Sequence, residues 1–343
     1  ERDIVRNNAG TWQYNSNGTY ALETWTNATT NTELAALAEA MEGAAAGYDI
    51  ANASYDSVSF DVSSQDTQPQ AIAFNADGTK MFIVGETGQD VNEYTLSTGF
   101  DVSTASYSKV FSVSAQELYP QGIAFNTDGT KMFIVGTNGD DVNEYTLSTG
   151  FDVSTASFVD SFSVSAQDTS PRGVAFSTDG TKMFVVGITN DSVYEYTLST
   201  GFDVSTSSFV DSFSVSAQDT APLDLTFNSD GTKMYILGST GDDVNEYTLS
   251  TGFDVSTATY AQNFSVSSQE TSPTGIVFNA DGTKMFIVGS SSDTVYQYTT
   301  ALYTNQMDKT QLDAVTDPNH IALGNDLDLS IIFNMTSGTT VPS

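Results

Sequence analysis

The chain has no cysteine, one histidine, seven prolines and only ten lysines and arginines among 343 residues. Without cysteine there is no disulfide framework and no thiol chemistry, and the redox compartment stays open. The one histidine, His320, stands in a turn context near the C-terminus, which suits a loop or core residue better than a catalytic one. No Gly-x-Ser-x-Gly elbow, phosphate loop or zinc-ligand spacing occurs. No apolar run is long enough to cross a bilayer, so membrane insertion is not expected. The scarcity of bases leaves 43 acids against 10, a formal net charge of −33. A surface of that sign repels phosphate, which argues against nucleic acid and anionic membranes and suits salty surroundings, divalent cations or a basic partner. The mix is rich in Ser, Thr, Asn, Gly and Tyr, as in extracellular and virion-surface proteins.

What the chain does have is repetition. Asp-Gly-Thr-Lys begins at residues 77, 128, 179, 230 and 281, each copy 51 residues after the last. A period of that length, kept without insertions, marks a repeat architecture of blade-sized units. In each copy a short apolar strand (72–74 in the first) runs through an Asp-Gly hairpin into a second apolar strand (81–84). A third strand (91–96) mixes Val, Tyr and Leu with Asn, Glu and Thr. A fourth, typified by 158–165, alternates Phe and Val with Asp and Ser. Apolar runs need cover on both faces and alternating ones on only one, so the first two strands are expected to lie deepest and the fourth at the periphery.

The strand count separates a closed ring from an open solenoid. Strands one to three occur five times, whereas a fourth strand follows only four of those sets. The missing copy stands at the front, at 55–63, with one extra residue. This predicts an all-β chain: a five-bladed β-propeller of four-stranded blades over 47–300, closed by an N-terminal strand. Closure also brings Gly47 and Thr300 together, so the propeller reads as an insertion into a small α+β domain built from residues 1–46 and 301–343. There, 11–15 and 20–26 read as strands around Trp12 and Trp25, 32–42 and 308–315 as helices, 317–319 as a turn and 327–335 as a strand. The chain opens at Glu1 with no basic segment leading into an apolar one, and is read as processed or as an excerpt.

The Asp-Gly-Thr-Lys and Phe-Asp-Val-Ser-Thr segments read as turns, with the five lysines offsetting neighbouring acids. Between strands two and three each repeat carries acids, and Asp90, Asp141, Asp191, Asp243 and Asp293 are the candidate ligands if a metal is bound. Calcium is the cation such carboxylates would hold, although no Asp-x-Asp-x-Asp series is present. No other cofactor is expected. A ligand site is sought where the repeats disagree, just before the first strand. Gln70, Tyr119, Gln121, Arg172, Asp224 and Thr274 would surround one mouth of the central channel and suit a sugar or another polar ligand. No catalytic residue is assigned, and paired carboxylates for glycoside hydrolysis are not singled out by five similar repeats.

The repeat Ile-Ala-Phe-Asn-x-Asp-Gly-Thr-Lys-Met-Phe-Ile-Val-Gly, followed by Asp-x-Val-x-Glu-Tyr, resembles the lactonase-like and YVTN-type β-propeller repeats of bacterial surface and secreted proteins. The flanks, with Thr-Trp-Gln-Tyr-Asn-Ser-Asn at 11–17 and Asn-Gln-Met-Asp-Lys-Thr-Gln-Leu-Asp-Ala-Val at 305–315, resemble segments of structural proteins of marine tailed bacteriophages. That resemblance implies a non-enzymatic virion surface protein, a tail, fibre or head-decoration component. Its split domain would hold other virion proteins, in a homo-oligomer, and its propeller would meet host-surface glycans. The alternative is a secreted or cell-surface propeller, an adhesin or a lactonase- or glycosidase-like enzyme.

Overall fold

The computed structural model describes residues 47–300 throughout and, before them, the backbone of Ile4–Arg6, Trp12–Asn15 and Trp25–Asn27. These three N-terminal strands form an antiparallel meander. It includes Trp12–Asn15 of the first expected strand and Trp25–Thr26 of the second, and adds Ile4–Arg6, which the polar sequence did not announce. The expected helices at 32–42 and 308–315, the strand at 327–335, His320 and the split domain they would build lie outside the described residues.

From Gly47 each repeat folds into one four-stranded antiparallel sheet. In blade one the strands are Pro69–Phe74, Lys80–Gly85, Asp90–Leu96 and Ala105–Ser112. Blades two to four repeat this order over 120–163, 171–214 and 222–265. Blade five takes Pro273–Phe278, Lys284–Gly289 and Thr294–Thr299 from the end of the chain and Ser54–Asp61 from its start. The seam is an ordinary antiparallel pairing, with Val295 opposite Phe60 and Tyr298 opposite Tyr55. At the same place the Asp49 N–H donates to the Thr300 carbonyl at 3.1 Å, so the propeller's entry and exit adjoin.

The ring is closed by contacts that recur at every blade boundary. The second-strand aromatic of one blade packs on the first-strand Phe of the next: Phe82 on Phe125, Phe133 on Phe176, Phe184 on Phe227, Tyr235 on Phe278 and, completing the circle, Phe286 on Phe74. Fourth-strand phenylalanines set their rings edge-on against the next blade's third-strand tyrosine, from Phe111 on Tyr145 at 5.6 Å round to Phe60 on Tyr94 at 5.5 Å. Such edge-to-face pairs each add about 0.5–1.5 kcal/mol beyond area burial. The last link comes from the N-terminal strand, which therefore joins blade five to blade one.

The burial gradient corrects the expectation from sequence. The second strand is fully buried, Met81 to Val84 all at 0% exposure. The third, for all its polar residues, is as deep: Asn92 is 3% and Glu93 1% exposed. Buried polar groups are tolerated when bonded. Asn92 donates to Asp90 at 2.7 Å, and Glu93 meets Lys80 at 2.9 Å. The first strand is less deep, with Phe74 and Phe125 half-buried, because it borders a central cavity.

The turns do as expected. Asp77 accepts from the N–H and hydroxyl of Thr79, while Gly78 takes φ +69° beneath the ring of Phe100. A Cβ there would stand 2.4 Å from that ring, so glycine is required twice over, by conformation and by space. Asp101 caps a short 3-10 turn by accepting from Ser103 N–H at 3.1 Å. The lysines do more than offset acids. Lys131 pairs with Glu144 at 2.6 Å and also donates to the Phe202 carbonyl of the next blade at 2.6 Å, while Glu144 accepts from that blade's Val204 N–H at 3.0 Å. In blades one to four each such lysine also bonds a carbonyl of the next blade, so these four pairs are latches between blades.

The extra residue of the front strand is absorbed as a wider bulge. In blade one Glu93 faces Lys109 and Tyr94 faces Tyr107, whereas in blade five Gln297 faces Val58 and Tyr298 faces Tyr55. Within that bulge Ser57 takes φ 59° and Asp56 turns toward the blade. It accepts from Gln297 at 2.9 Å and stands 3.6 Å from Lys284. Blade five has Gln297 where the other blades have the latch glutamate, and Asp56 supplies the missing carboxylate.

Candidate functional site

Antiparallel order fixes what gathers at each end of the channel. One end, the upper, carries the links between blades, the starts of the first strands at Pro69 and its counterparts, and the turns between strands two and three. The other, the lower, carries the Asp-Gly hairpins.

At the upper end three of the expected mouth residues meet in one polar chain, from Gln70 to Glu86, on to Arg172 within its electrostatic reach, and from Arg172 to Gln121, so that their polar groups serve one another. Gln70 donates to Glu86 at 3.3 Å. Arg172 donates to Gln121 in the neighbouring blade, and its buried Nε has no acceptor. Burial pushes the Arg172 pKa down, opposed by Glu86 and Asp168. Thr274 is buried, donating to the Pro69 and Val288 carbonyls. Tyr119 is 49% exposed. Four of these side chains, Gln70, Gln121, Arg172 and Thr274, are thus engaged with protein partners.

Asp224 lies apart from them. Its counterparts are Ala71, Gly122, Gly173 and Gly275, small because the first strands pinch together here. A Cβ on Gly275 would stand 2.7 Å from the Ala71 Cα. The Asp224 carboxyl fills the pinch, accepting from the Leu225 N–H at 2.9 Å and, across the blade boundary, from the Ile276 N–H at 2.8 Å. Below it is a cavity of about 330 Å³ that reaches the hairpin residues Ala76, Asn126 and Thr127. Its walls are Ile72, Ile123, Val174, Leu225 and Ile276, with Phe74, Phe125 and Phe176 beneath. Asp224 is therefore the ceiling of a lower apolar cavity and not part of an upper polar mouth.

Burial pushes the Asp224 pKa up to about 7, against its two N–H bonds. Asp90 is pushed up to about 6, by burial and then by Asp66. A carboxyl whose folded pKa is raised binds protons that the unfolded chain has already released, so stability falls as pH climbs through the folded value. For Asp224 the folded state gains about 2–3 kcal/mol between pH 8 and pH 5. Urea midpoints at these two pH values should show the rise, and Asp224→Gly should lose that component; a wild-type midpoint that is flat or falls toward pH 5 would contradict it.

The candidate metal ligands fall into two sets. Asp90, Asp141 and Asp243 open the third strands, each bonded to an Asn two residues on at 2.7 Å. Asp191 and Asp293 stand one position earlier, at the left-handed turn residue, with φ 48° and 50°. They do not form one ring, and among the described residues no three potential ligands come together.

The sequence reading passed over the most regular carboxylates. Asp66, Glu117, Asp168, Asp219 and Glu270, at 0–2% exposure, each follow a Gln. Each bonds backbone N–H groups on both sides, as Asp66 does with Gln68 at 2.6 Å and Gly88 at 2.8 Å. They staple the inter-blade link to the turn between strands two and three. Their recurrence after Gln in all five repeats was the available signal.

No protein-family model and no curated protein matches the chain. Solved structures similar to it include a functionally unknown protein from Desulfotomaculum acetoxidans DSM 771, with 13% identity, TM-score 0.40, and coverage of 84% of this chain and 73% of that one. Two others are provisionally named 6-phosphogluconolactonases. The one from Bacteroides uniformis ATCC 8492 has 14% identity, TM-score 0.42 and 67% coverage of both chains. The one from Bacteroides fragilis NCTC 9343 has 16% identity, TM-score 0.41 and 64% coverage of both. Likeness at this level carries no argument about function, and the fold stands on the blade geometry itself.

Proposed function

We propose that this chain is a non-enzymatic display protein whose propeller attaches to glycan-bearing surfaces through its rim. The observation that carries the reading is a repeated exposed aromatic on the outermost strand. Tyr107, Phe158, Phe209 and Tyr260 are 45%, 42%, 44% and 39% exposed. Each ring leans on a buried tyrosine, with centroids at 5.9 Å for Tyr107 on Tyr94 and 5.8 Å for Phe158 on Tyr145. Rigid aromatic faces cost little entropy to use and suit the apolar face of a sugar ring. One such contact is weak, and several on one ring, multiplied by copy number, give useful avidity.

Mounting on a virion through both chain ends, within a homo-oligomer, belongs to the same proposal and is supported by the resemblance of the flanks. The test is binding of the full chain to an array of bacterial surface glycans, beside a Phe158→Ala, Phe209→Ala double variant. The variant should lose at least tenfold in apparent affinity while keeping its circular dichroism. Undiminished binding by the variant, or turnover of a sugar lactone or glycoside by the wild type, would defeat the reading.

A further inference from the structure

We propose that the central cavity binds a small organic cation, a primary ammonium on an unbranched aliphatic body, with the ammonium seated on Asp224. This inference is independent of the rim. The cavity's walls are mostly aliphatic and aromatic, with Thr226 on the wall and Asn126 and Thr127 toward the hairpin end, and its one charged lining residue stands at the pinched upper end. The two backbone N–H bonds to Asp224 engage one site on each oxygen. A carboxylate offers about four acceptor sites in all, so two remain.

No cation among the described residues takes them. The described lysines pair with Glu93, Asp152, Glu144, Glu195, Glu246 and Asp56, and Arg172 donates to Gln121. A buried carboxyl facing an apolar chamber without a countercharge favours a ligand that brings one. The other four repeats show that the fold itself does not ask for it, since they carry Ala or Gly at this position.

Charge and size select within that class. A net charge of −33 draws cations toward the molecule and repels anions. A sealed cavity of about 150 Å³ holds a benzene-sized ligand, and this one, of about 330 Å³ and partly open, has room for a chain of about six to eight carbons. Binding the ammonium ionises a carboxyl that is partly protonated near neutral pH. The complex therefore releases a proton, and affinity rises with pH.

The test is isothermal titration calorimetry of the full chain with n-hexylammonium, 1-hexanol and hexanoate. Hexylammonium should bind at least tenfold more tightly than hexanol, hexanoate should give no heat, and hexylammonium affinity should rise from pH 6 to pH 8. Asp224→Asn should lower hexylammonium affinity at least tenfold and leave hexanol unchanged. The three-ligand comparison on the wild type stands even if that variant does not fold. Hexanol binding as tightly as hexylammonium, measurable hexanoate binding, or no heat from any of the three would overturn the proposal, as would a folded Asp224→Asn that binds hexylammonium like the wild type.

Discussion

Glu144→Gln lowers the stability of the propeller by about 2–3 kcal/mol, the cost of removing the buried, charged partner from a pair whose lysine is a quarter exposed. Glu144 is 3% exposed and serves two blades at once, holding Lys131 at 2.6 Å and the Val204 N–H at 3.0 Å. The amide can still accept from Val204, but its NH₂ then faces the Lys131 ammonium, donor against donor. Blade five shows what the substitution lacks. There Gln297 accepts from the Val102 N–H at 3.3 Å and donates to Asp56, which stands in for the lost charge beside Lys284. Blade two has Val159 in its bulge, and the fourth-strand carboxylate opposite Glu144, Asp160, is exposed and accepts from the Ser161 N–H at 2.8 Å instead of meeting the latch. The urea midpoint should fall with an unchanged slope. A loss under about 1 kcal/mol would show the latch to be no better than a solvent-exposed ion pair.

Deleting Ser54–Asp61 has the larger effect and abolishes the folded ring. The deletion leaves Thr294–Thr299 as an exposed edge, removes Phe60 from Tyr94, and takes Asp56 from Lys284. Five-fold closure makes the loss cooperative, because both neighbours of the open seam lose packing. The net stability of a domain is only about 5–15 kcal/mol, which the loss of one whole strand exceeds or nearly exceeds. Circular dichroism should show no cooperative thermal transition, and size exclusion should show aggregated material, as expected of an unpaired apolar edge. A sharp transition near the wild-type temperature would mean that blade five closes without the N-terminal strand.

Much of this was legible in the repeats. The number of blades, the borrowed fourth strand, the Asp-Gly hairpins and the Asp-capped turns follow from periodicity and turn chemistry, which are local. What was misread depends on facing. Polarity alone made the third strand look intermediate, but Asn92 and Glu93 are buried with their partners, and the constancy of Asn-Glu-Tyr in three of the five repeats was the better guide. Asp224 stood out correctly as the departure from glycine, yet its placement with Arg172 assumed that one ligand end serves all variable positions. Which side of the pinch a side chain fills is set by the approach of the five first strands, a tertiary fact. The acids between strands two and three looked like one set because they share a loop, whereas a one-residue offset divides them between a strand start and a left-handed turn. The rim aromatics were read only as one face of an alternating strand, and their exposure appears once the outermost edge is known.

The absence of cysteine allows one direct measurement of closure. Ser59 and Tyr296 are paired across the seam between the start and the end of the propeller. Directly opposed residues of an antiparallel pair have Cβ atoms about 4.5–5.5 Å apart, close to disulfide range. In the Ser59→Cys, Tyr296→Cys variant, a ring closed as described predicts quantitative oxidation to an intramolecular disulfide, with no reactive thiol under native conditions. Two freely titrating thiols in a folded protein of native circular dichroism would contradict the five-bladed ring closed by its N-terminal strand.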